Sequence, residues 1–279
     1  MTARLRIAAA LALCIAAASA PAQSPQRRFE DVPPERLVDW YYASTFGTGA
    51  YRIGDRTVFV GRLPLSYKLR EPDEQQWGIK LKMPVSVGVY DVSSAFSDIL
   101  SSNYGTLTVL PGVEFEKRMN PRWKVRPTAS LGYGQDAANG VGAAVWEAGV
   151  RSLYSLPMER TDLEISSAVL FAGYESRPAR QKLGILGLGL GWILPTGKDL
   201  WGQPTNLGLH FNYYLYFDRL DFFLDPQGRR TVPQQFELAM TLGTYQPLKI
   251  FGFETDRIGV AIRGGEGLLA IRLVSGFLF

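Results

Sequence analysis

The sequence has very few residues that bind metals or form disulfides: its 279 residues include one cysteine, Cys14, and one histidine, His210. A structural zinc site needs four such ligands, and a lone cysteine cannot form an internal disulfide. The glycines between Gly187 and Gly191 are not followed by a helix start, so they do not form a nucleotide-binding loop. No metal and no cofactor are predicted.

Two further absences narrow the class of protein. No apolar run beyond the first 22 residues approaches the about 20 residues of a transmembrane helix, which excludes a polytopic helical membrane protein. The formal net charge is only +4, and two of the positive charges, Arg4 and Arg6, lie in the N-terminal segment, so no nucleic-acid partner is predicted. Hydrophobic residues still make up 46% of the chain at a mean hydropathy close to zero. Either a soluble core or a membrane β-barrel fits these values.

Residues 1–22 have the pattern of a secretory signal peptide: a basic start, an apolar stretch and then small residues that suit cleavage after Ala22. The apolar stretch is too short for an uncleaved anchor. Leucine, rather than the small residue of a lipidation site, precedes Cys14, so the mature chain is predicted to lack cysteine. Residues 23–36 form a polar N-terminal arm or linker, and residues 37–279 form the main domain.

Apolar side chains recur at every second position from about residue 37 to the end of the chain. Between Trp77 and Val89, for example, every odd position is apolar, whereas the even positions hold Gly, Lys, Pro and Ser. This alternation is typical of strands with one apolar face, and the segments exceed the ~5–6 residues of most soluble strands. The predicted strands are 37–50, 56–70, 77–89, 104–117, 123–133, 144–156, 161–174, 182–194, 207–217, 234–244, 250–263 and 268–279.

The connections between these strands alternate in length. Short turns are expected at 118–122, 157–160 and 245–247, and longer segments at 91–103, 135–143, 175–181 and 219–233. Outer-membrane barrels have short periplasmic turns and longer outer loops, so the predicted fold class is all-β, a transmembrane antiparallel barrel of twelve strands. The long connection at 195–204 departs from this rule. The first strand, 37–50, supplies the even number, and whether it is a strand or a segment in the pore stays open.

Four prolines, Pro64, Pro84, Pro111 and Pro127, fall inside predicted strands. A proline removes a donor from the ladder, and we expect these four to mark bulges that bend the wall.

The two faces of the strands predict different surroundings. Aromatic residues near strand ends on the apolar face are expected to form a girdle at the headgroup level; they are Trp77, Trp123, Tyr133, Trp146 and Trp192. The other face carries charges of both signs, which predicts a lumen that pairs its own charges rather than an open ring of one sign. The alternative is a soluble sandwich, which would need a second sheet to cover the apolar face.

The candidate contacts of the lumen or of a plug are Gly187, Gly189, Gly191, His210, Arg126 and Glu114. The three glycines form an inward stripe that would let an inserted segment, such as residues 23–43, approach the wall, or would merely ease its curvature. Glu114 and Glu116 lie two apart on one face and are expected to form salt bridges rather than a catalytic carboxylate pair. His210 faces the same polar side, and no Ser is close to it in sequence, so no catalytic residue is predicted.

The last segment, LLAIRLVSGFLF, keeps its apolar residues on one face and ends on Phe279. It resembles the signal that the bacterial barrel-assembly machinery reads. Together with YYASTFGTGAYRIGDRTVFVGRLPLSYKLRE and WGIKLKMPVSVGVYD, it makes the chain resemble the solitary outer-membrane autotransporter-type barrels. The resemblance implies a twelve-stranded, translocator-like barrel in the outer membrane of a Gram-negative bacterium, with an N-terminal segment in the pore. Only residues 23–36 separate leader and barrel, so the passenger of a true autotransporter is missing.

Three functions follow from this interpretation. The first is a narrow or plugged, porin-like pore or structural barrel of unknown substrate, in contact with outer-membrane lipid, lipopolysaccharide and, through Phe279, the assembly machinery. The second is an outer-membrane lipid hydrolase that uses His210. The third is a soluble exported β-protein.

Overall fold

A computed structural model describes residues 45–53, 56–90, 105–136, 140–176, 180–200, 202–224, 228–250 and 253–276. All regular secondary structure in these ranges is β-strand. The strands are β1 (Gly49–Ile53), β2 (Arg56–Arg70), β3 (Gly78–Tyr90), β4 (Thr106–Val109), β5 (Gly112–Asn120), β6 (Trp123–Asp136), β7 (Val141–Pro157), β8 (Asp162–Ser176), β9 (Arg180–Leu200), β10 (Gln203–Leu224), β11 (Gly228–Ile250), β12 (Phe253–Gly265) and β13 (Leu268–Ser275). The predicted leader and arm lie outside the described residues. No helix in the described part of the chain is long and apolar enough to cross a membrane.

The strands form one antiparallel sheet that closes into a barrel. β4 and β5 together make one crossing of the wall, because both lie between β3 and β6 and keep the same register with them. β1 closes the ring: one edge pairs with β2, and the other pairs with β13, where Gly49 lies opposite Arg272. The wall therefore has twelve crossings, an even number as in bacterial outer-membrane barrels, and the predicted fold class is confirmed.

The first strand starts later than predicted. Thr45–Thr48 form a turn and bend, and β1 covers only Gly49–Ile53, so the bounds 37–50 are wrong within the described residues; residues 37–44 lie outside them. The segment before β1 is held by side chains instead of a full ladder. Thr48 Oγ1 accepts a 3.0 Å hydrogen bond from the Arg62 amide and donates one of 3.0 Å to the Arg62 carbonyl.

The four strand prolines do not mark bulges. Pro64 lies directly opposite Pro84, and Pro127 lies directly opposite Val150, with no shift of register at either pair. Pro111 separates β4 from β5, but the register is the same on both sides of it. The prediction of bulges is therefore wrong.

The prolines interrupt the ladder without adding a residue to it. The Pro84 carbonyl accepts a 3.0 Å hydrogen bond from the Leu110 amide, and the Pro111 carbonyl accepts one of 2.9 Å from the Leu131 amide. Pro84 and Pro111 therefore each lack a donor but keep an acceptor in use. Because Pro64 and Pro84 are paired with each other, their two missing donors fall at one level of the wall.

Several connections are shorter than predicted because the strands continue beyond the apolar belt. β9 runs to Leu200 and β10 starts at Gln203, so the long connection at 195–204 is wrong. β11 includes Tyr245–Pro247, where a turn is predicted, and its register with β12 shifts between Gly243 and Leu248 instead. Alternation predicts only the part of a strand that has one apolar face. Beyond that part, polar residues continue the strand and its backbone hydrogen bonds.

The connections also orient the barrel. The longest one joins β3 to β4 over residues 91–105, at the end opposite the one where β13 finishes. Outer-membrane barrels carry their longer loops outside the cell. We therefore assign the end where β13 finishes, called the C-terminal end below, to the periplasm.

The exterior of the wall is apolar and exposed. Leu131, Leu238, Ile262 and Ile271 each expose about 59–66% of their surface. A single closed sheet leaves no second sheet to cover them, and a continuous exposed apolar surface indicates contact with lipid. The expectation of a soluble exported β-protein is wrong for the described residues.

The predicted girdle residues lie on this exterior face. Trp77, Tyr133 and Trp192 are exposed, whereas Trp123 and Trp146 are half-buried. Trp123 Nε1 donates a 2.8 Å hydrogen bond to Ser152 Oγ, which gives an outward-facing hydroxyl a partner within the wall. Such a bond lowers the cost of a polar side chain at the lipid boundary.

Candidate functional site: the barrel lumen

The structure places Gly187, Gly189 and Gly191 on the lumen face of β9. On one side they lie opposite Ala168, Ser166 and Glu164 of β8, and on the other opposite Tyr214, Asn212 and His210 of β10. The β8 neighbours of Gly187 and Gly189 are therefore small, whereas all three β10 neighbours are large. The glycines leave room for the large β10 side chains to lie against the wall.

His210 occupies part of this room. Its imidazole is buried, and its Nε2 lies 3.0 Å from Thr241 Oγ1 on β11. A Cβ atom added at Gly191 would lie 2.7 Å from His210 Nδ1, so only glycine at this position leaves the ring undisturbed. Glu164, opposite Gly191, is held by Arg257 through two hydrogen bonds of 2.8 and 3.0 Å.

This geometry gives no support to a lipid hydrolase. The His210 ring faces the lumen and not the lipid, and its hydrogen-bond partner in the described part of the chain is the Thr241 hydroxyl rather than a serine or a carboxylate. A nucleophile for lipid would have to open to the exterior. Within the described ranges there is also no group of His, Cys, Asp or Glu residues that could hold a metal ion.

A buried ion cluster lies in the half of the lumen nearer the extracellular end. We call it the Glu237 cluster; it consists of Glu237, Arg263, Arg272, Asn212 and Tyr214. One carboxylate oxygen of Glu237 accepts hydrogen bonds from Arg263 Nε at 2.8 Å and from Arg272 Nη1. The other oxygen accepts bonds of 3.1 Å each from Asn212 Nδ2 and the Tyr214 hydroxyl. The Arg263 guanidinium also lies 3.8 Å above the centre of the Tyr214 ring.

Burial makes the Glu237 cluster a single electrostatic unit. Glu237 is 0% exposed, Arg263 3% and Arg272 8%, so no partner can lose its counter-charge without leaving a charge in a region of low dielectric. The strands explain the assembly: Asn212, Glu237 and Arg263 lie directly opposite one another on β10, β11 and β12. Arg272 reaches the cluster from β13.

The segment before β1 turns toward this cluster. Phe46 stacks on the lumen-facing ring of Tyr51 with a centroid distance of 4.6 Å, and the Tyr51 hydroxyl donates a 2.8 Å hydrogen bond to the Gly47 carbonyl. Thr45 and Gly47 line a cavity of about 220 Å³ together with Gly187, Tyr214, Arg263 and Arg272. The chain therefore enters β1 from inside the lumen.

Glu114 and Arg126 both lie on the lumen face but do not pair with each other. Glu114 pairs with Lys80 at 3.3 Å, and Arg126 pairs with Glu116 at 2.5 Å. The expectation that the two neighbouring glutamates form salt bridges is confirmed. Each carboxylate has its own cation, so the two do not act as an acid and base pair.

The Glu237 cluster is absent from the candidate residues of the sequence analysis. Alternation places Glu237, Arg263 and Arg272 on the inner face, as it does many other charges. What distinguishes them is the register between β11 and β12, which sets Glu237 opposite Arg263. This register can be counted from the connection between β11 and β12 only once the ends of the two strands are known.

Comparison with known proteins agrees with the fold. No family model and no curated protein matches the chain. Among solved structures, the crystal structure of the β domain of the Bordetella autotransporter BrkA is similar, with a TM-score of 0.52 and 9% identity over 81% of this chain and 92% of that one. The KdgM porin has a TM-score of 0.38 and 11% identity over 81% and 94%, and the siderophore receptor PirA from Pseudomonas aeruginosa 0.31 and 11% over 80% and 39%. The chain has the fold of an outer-membrane β-barrel similar to an autotransporter β domain.

Proposed function

We propose that this outer-membrane barrel is a narrow pore that the Glu237 cluster closes toward the extracellular side. The observation that carries the proposal is the nearly complete burial of three charged side chains inside the lumen. A barrel that served only as a wall could fill its interior with apolar side chains at no cost in charge burial. A pore needs a polar interior when it opens, and a paired ion cluster is such an interior in its closed form.

The proposal includes no enzymatic activity. It rests on the lumenal position of His210 and on its bond to Thr241, which place the imidazole on the face of the wall away from the lipid. We further propose that residues 1–22 are a cleaved signal peptide and that residues 23–36 are a linker arm. We also propose that the barrel contacts lipopolysaccharide and is assembled through its C-terminal segment, which ends with Phe279.

Conductance in planar lipid bilayers tests the pore. The wild-type barrel should show small, infrequent openings, and the triple variant Glu237→Ala, Arg263→Ala, Arg272→Ala should show a several-fold larger conductance. The variant removes the ions as a unit, so it leaves no unpaired buried charge, and it vacates the space that they fill.

The matched control replaces an ion pair outside the cluster. Arg180 and Glu175 lie 3.8 Å apart, and their side chains are 64% and 63% exposed. The double variant Arg180→Ala, Glu175→Ala should keep the wild-type conductance. A triple variant that folds as a barrel and conducts no more than the wild type would overturn the proposal. Deleting residues 23–43 from the wild-type chain shows separately whether the arm limits the current.

A further inference from the structure

A second cavity lies at the C-terminal end of the barrel, away from the Glu237 cluster. It has a volume of about 830 Å³, and the ends of β2, β5, β6, β12 and β13 line it. We call it the basic vestibule. Nine arginine and lysine side chains line it against four aspartates and glutamates, an excess of five positive charges. At this end of the lumen, cations outnumber carboxylates by more than two to one.

The register of the strands sets like charges directly opposite one another in the basic vestibule. Lys68 lies opposite Lys80, Arg118 opposite Lys124, and Arg126 opposite Arg151. Like charges at directly opposite positions destabilise a sheet. The first and third pairs are offset by neighbouring carboxylates, whereas Arg118 and Lys124 have no ion pair among the described residues. Their pairing therefore costs stability, which indicates that the positive field serves a purpose other than folding.

The carboxylates of the basic vestibule do not neutralise this field. Glu71, Glu114 and Glu116 each pair with one cation, at 2.9, 3.3 and 2.5 Å. Among the described residues no ion pair involves Arg118 or Lys124.

Arg151 provides a second observation that points to an anionic ligand. Its Nε is buried without a hydrogen-bond partner among the described residues, and its Nη2 lies 3.6 Å from Glu147. Arg151 lines the inner part of the basic vestibule. A buried guanidinium donor without an acceptor fits an anionic group that comes from solution.

We propose that the basic vestibule binds soluble multivalent anions that carry phosphate or carboxylate groups. Guanidinium and ammonium groups around a confined cavity bind such anions through charge-assisted hydrogen bonds, and the low-dielectric wall concentrates the field of the cations. Three like-charge pairs suit an anion of several charges better than a single chloride. The proposal rests on the proposed pore only for passage of the anion, since binding requires the vestibule alone.

Isothermal titration calorimetry of the full barrel in detergent tests binding without any need for conductance. Inorganic tripolyphosphate and citrate serve as probes, and spermine serves as the cationic control. The wild type should bind at least one of the two anions, more weakly as salt rises, and should not bind spermine. The double variant Arg118→Gln, Lys124→Gln should bind roughly tenfold more weakly, because it removes two charged contacts with the anion.

Two further variants keep the result interpretable. Arg160→Gln, Lys198→Gln removes two exposed cations outside the vestibule and should bind as the wild type does. Lys124→Arg keeps the charge and should bind within about twofold of the wild type. Absence of binding of both anions by the wild type, or an equal loss in Arg160→Gln, Lys198→Gln, would overturn the proposal. A barrel that binds the anions but never conducts would support the vestibule and contradict the pore.

Discussion

Glu237 shows how the context of one residue decides its role. The sequence contains many inward glutamates at alternating positions, and most of those described pair with one cation near the periplasmic end. Glu237 differs because four donors from three strands converge on its two oxygens and because none of its surface is exposed. The two arginines can therefore be buried only because the Glu237 carboxylate supplies a counter-charge.

Replacing Glu237 by glutamine should destabilise the barrel by about 3–5 kcal/mol, because it leaves two buried guanidinium groups beside a neutral amide. Unfolding by urea in lipid vesicles, followed by tryptophan fluorescence, measures the change. Glu159→Gln is the control: Glu159 is exposed in the turn after β7, and its replacement should stay within about 0.5 kcal/mol of the wild type. Equal unfolding midpoints for the two variants would contradict the described role of Glu237.

At the scale of elements, the side chains of the neighbouring strands explain why β9 carries glycine at its inward positions. Its inward glycines face the His210, Asn212 and Tyr214 side chains of β10, and the imidazole of His210 lies over Gly191. A bulkier strand at this place would displace the β10 side chains toward the lumen. The contact with Thr241 on β11 would then be lost.

Replacing Gly191 by alanine should destabilise the barrel by about 1–3 kcal/mol, because the new methyl group would overlap the His210 ring. Gly264→Ala is the matched control, since the nearest atom to a Cβ there is Leu269 Cδ1 at 3.9 Å, an ordinary contact. The same urea experiment compares the two. The steric account of the glycine stripe is contradicted when Gly191→Ala is as stable as Gly264→Ala.

The strands themselves could be predicted from alternation. The predicted range 56–70 is that of β2, and the remaining strands except the first overlap their predicted ranges, although β9, β10 and β11 are considerably longer. Their extensions and the ladder at Pro64 and Pro84 could not be predicted, because backbone pairing does not need an apolar face. Pairing between strands also decides which charges meet, and no alternation within one strand contains that information.

At the scale of the whole molecule, the barrel separates three environments. The exterior is an apolar belt, the half of the lumen toward the extracellular end holds the Glu237 cluster, and the C-terminal end holds the basic vestibule. Two patterns produce this separation. Apolar and polar side chains alternate between the outer and inner faces of the wall, and this alternation could be read from the sequence. The charges are also grouped at different heights along the barrel axis, and this grouping depends on the register between strands.

The central claim is that the lumen is closed toward the outside of the cell and open toward the periplasm. Thiol labelling tests it directly, because Cys14 is the sole cysteine of the chain and a Cys14→Ser background removes it. Ser66→Cys places a thiol in the basic vestibule, and Glu266→Cys places one in the turn between β12 and β13 at the opposite end. The reagent is a sulfonated maleimide too large to cross general porins.

In intact cells the reagent should label Glu266→Cys and leave Ser66→Cys unlabelled. Permeabilising the outer membrane should expose Ser66→Cys to the reagent from the periplasmic side. Labelling of Ser66→Cys in intact cells as fast as that of Glu266→Cys would contradict the account.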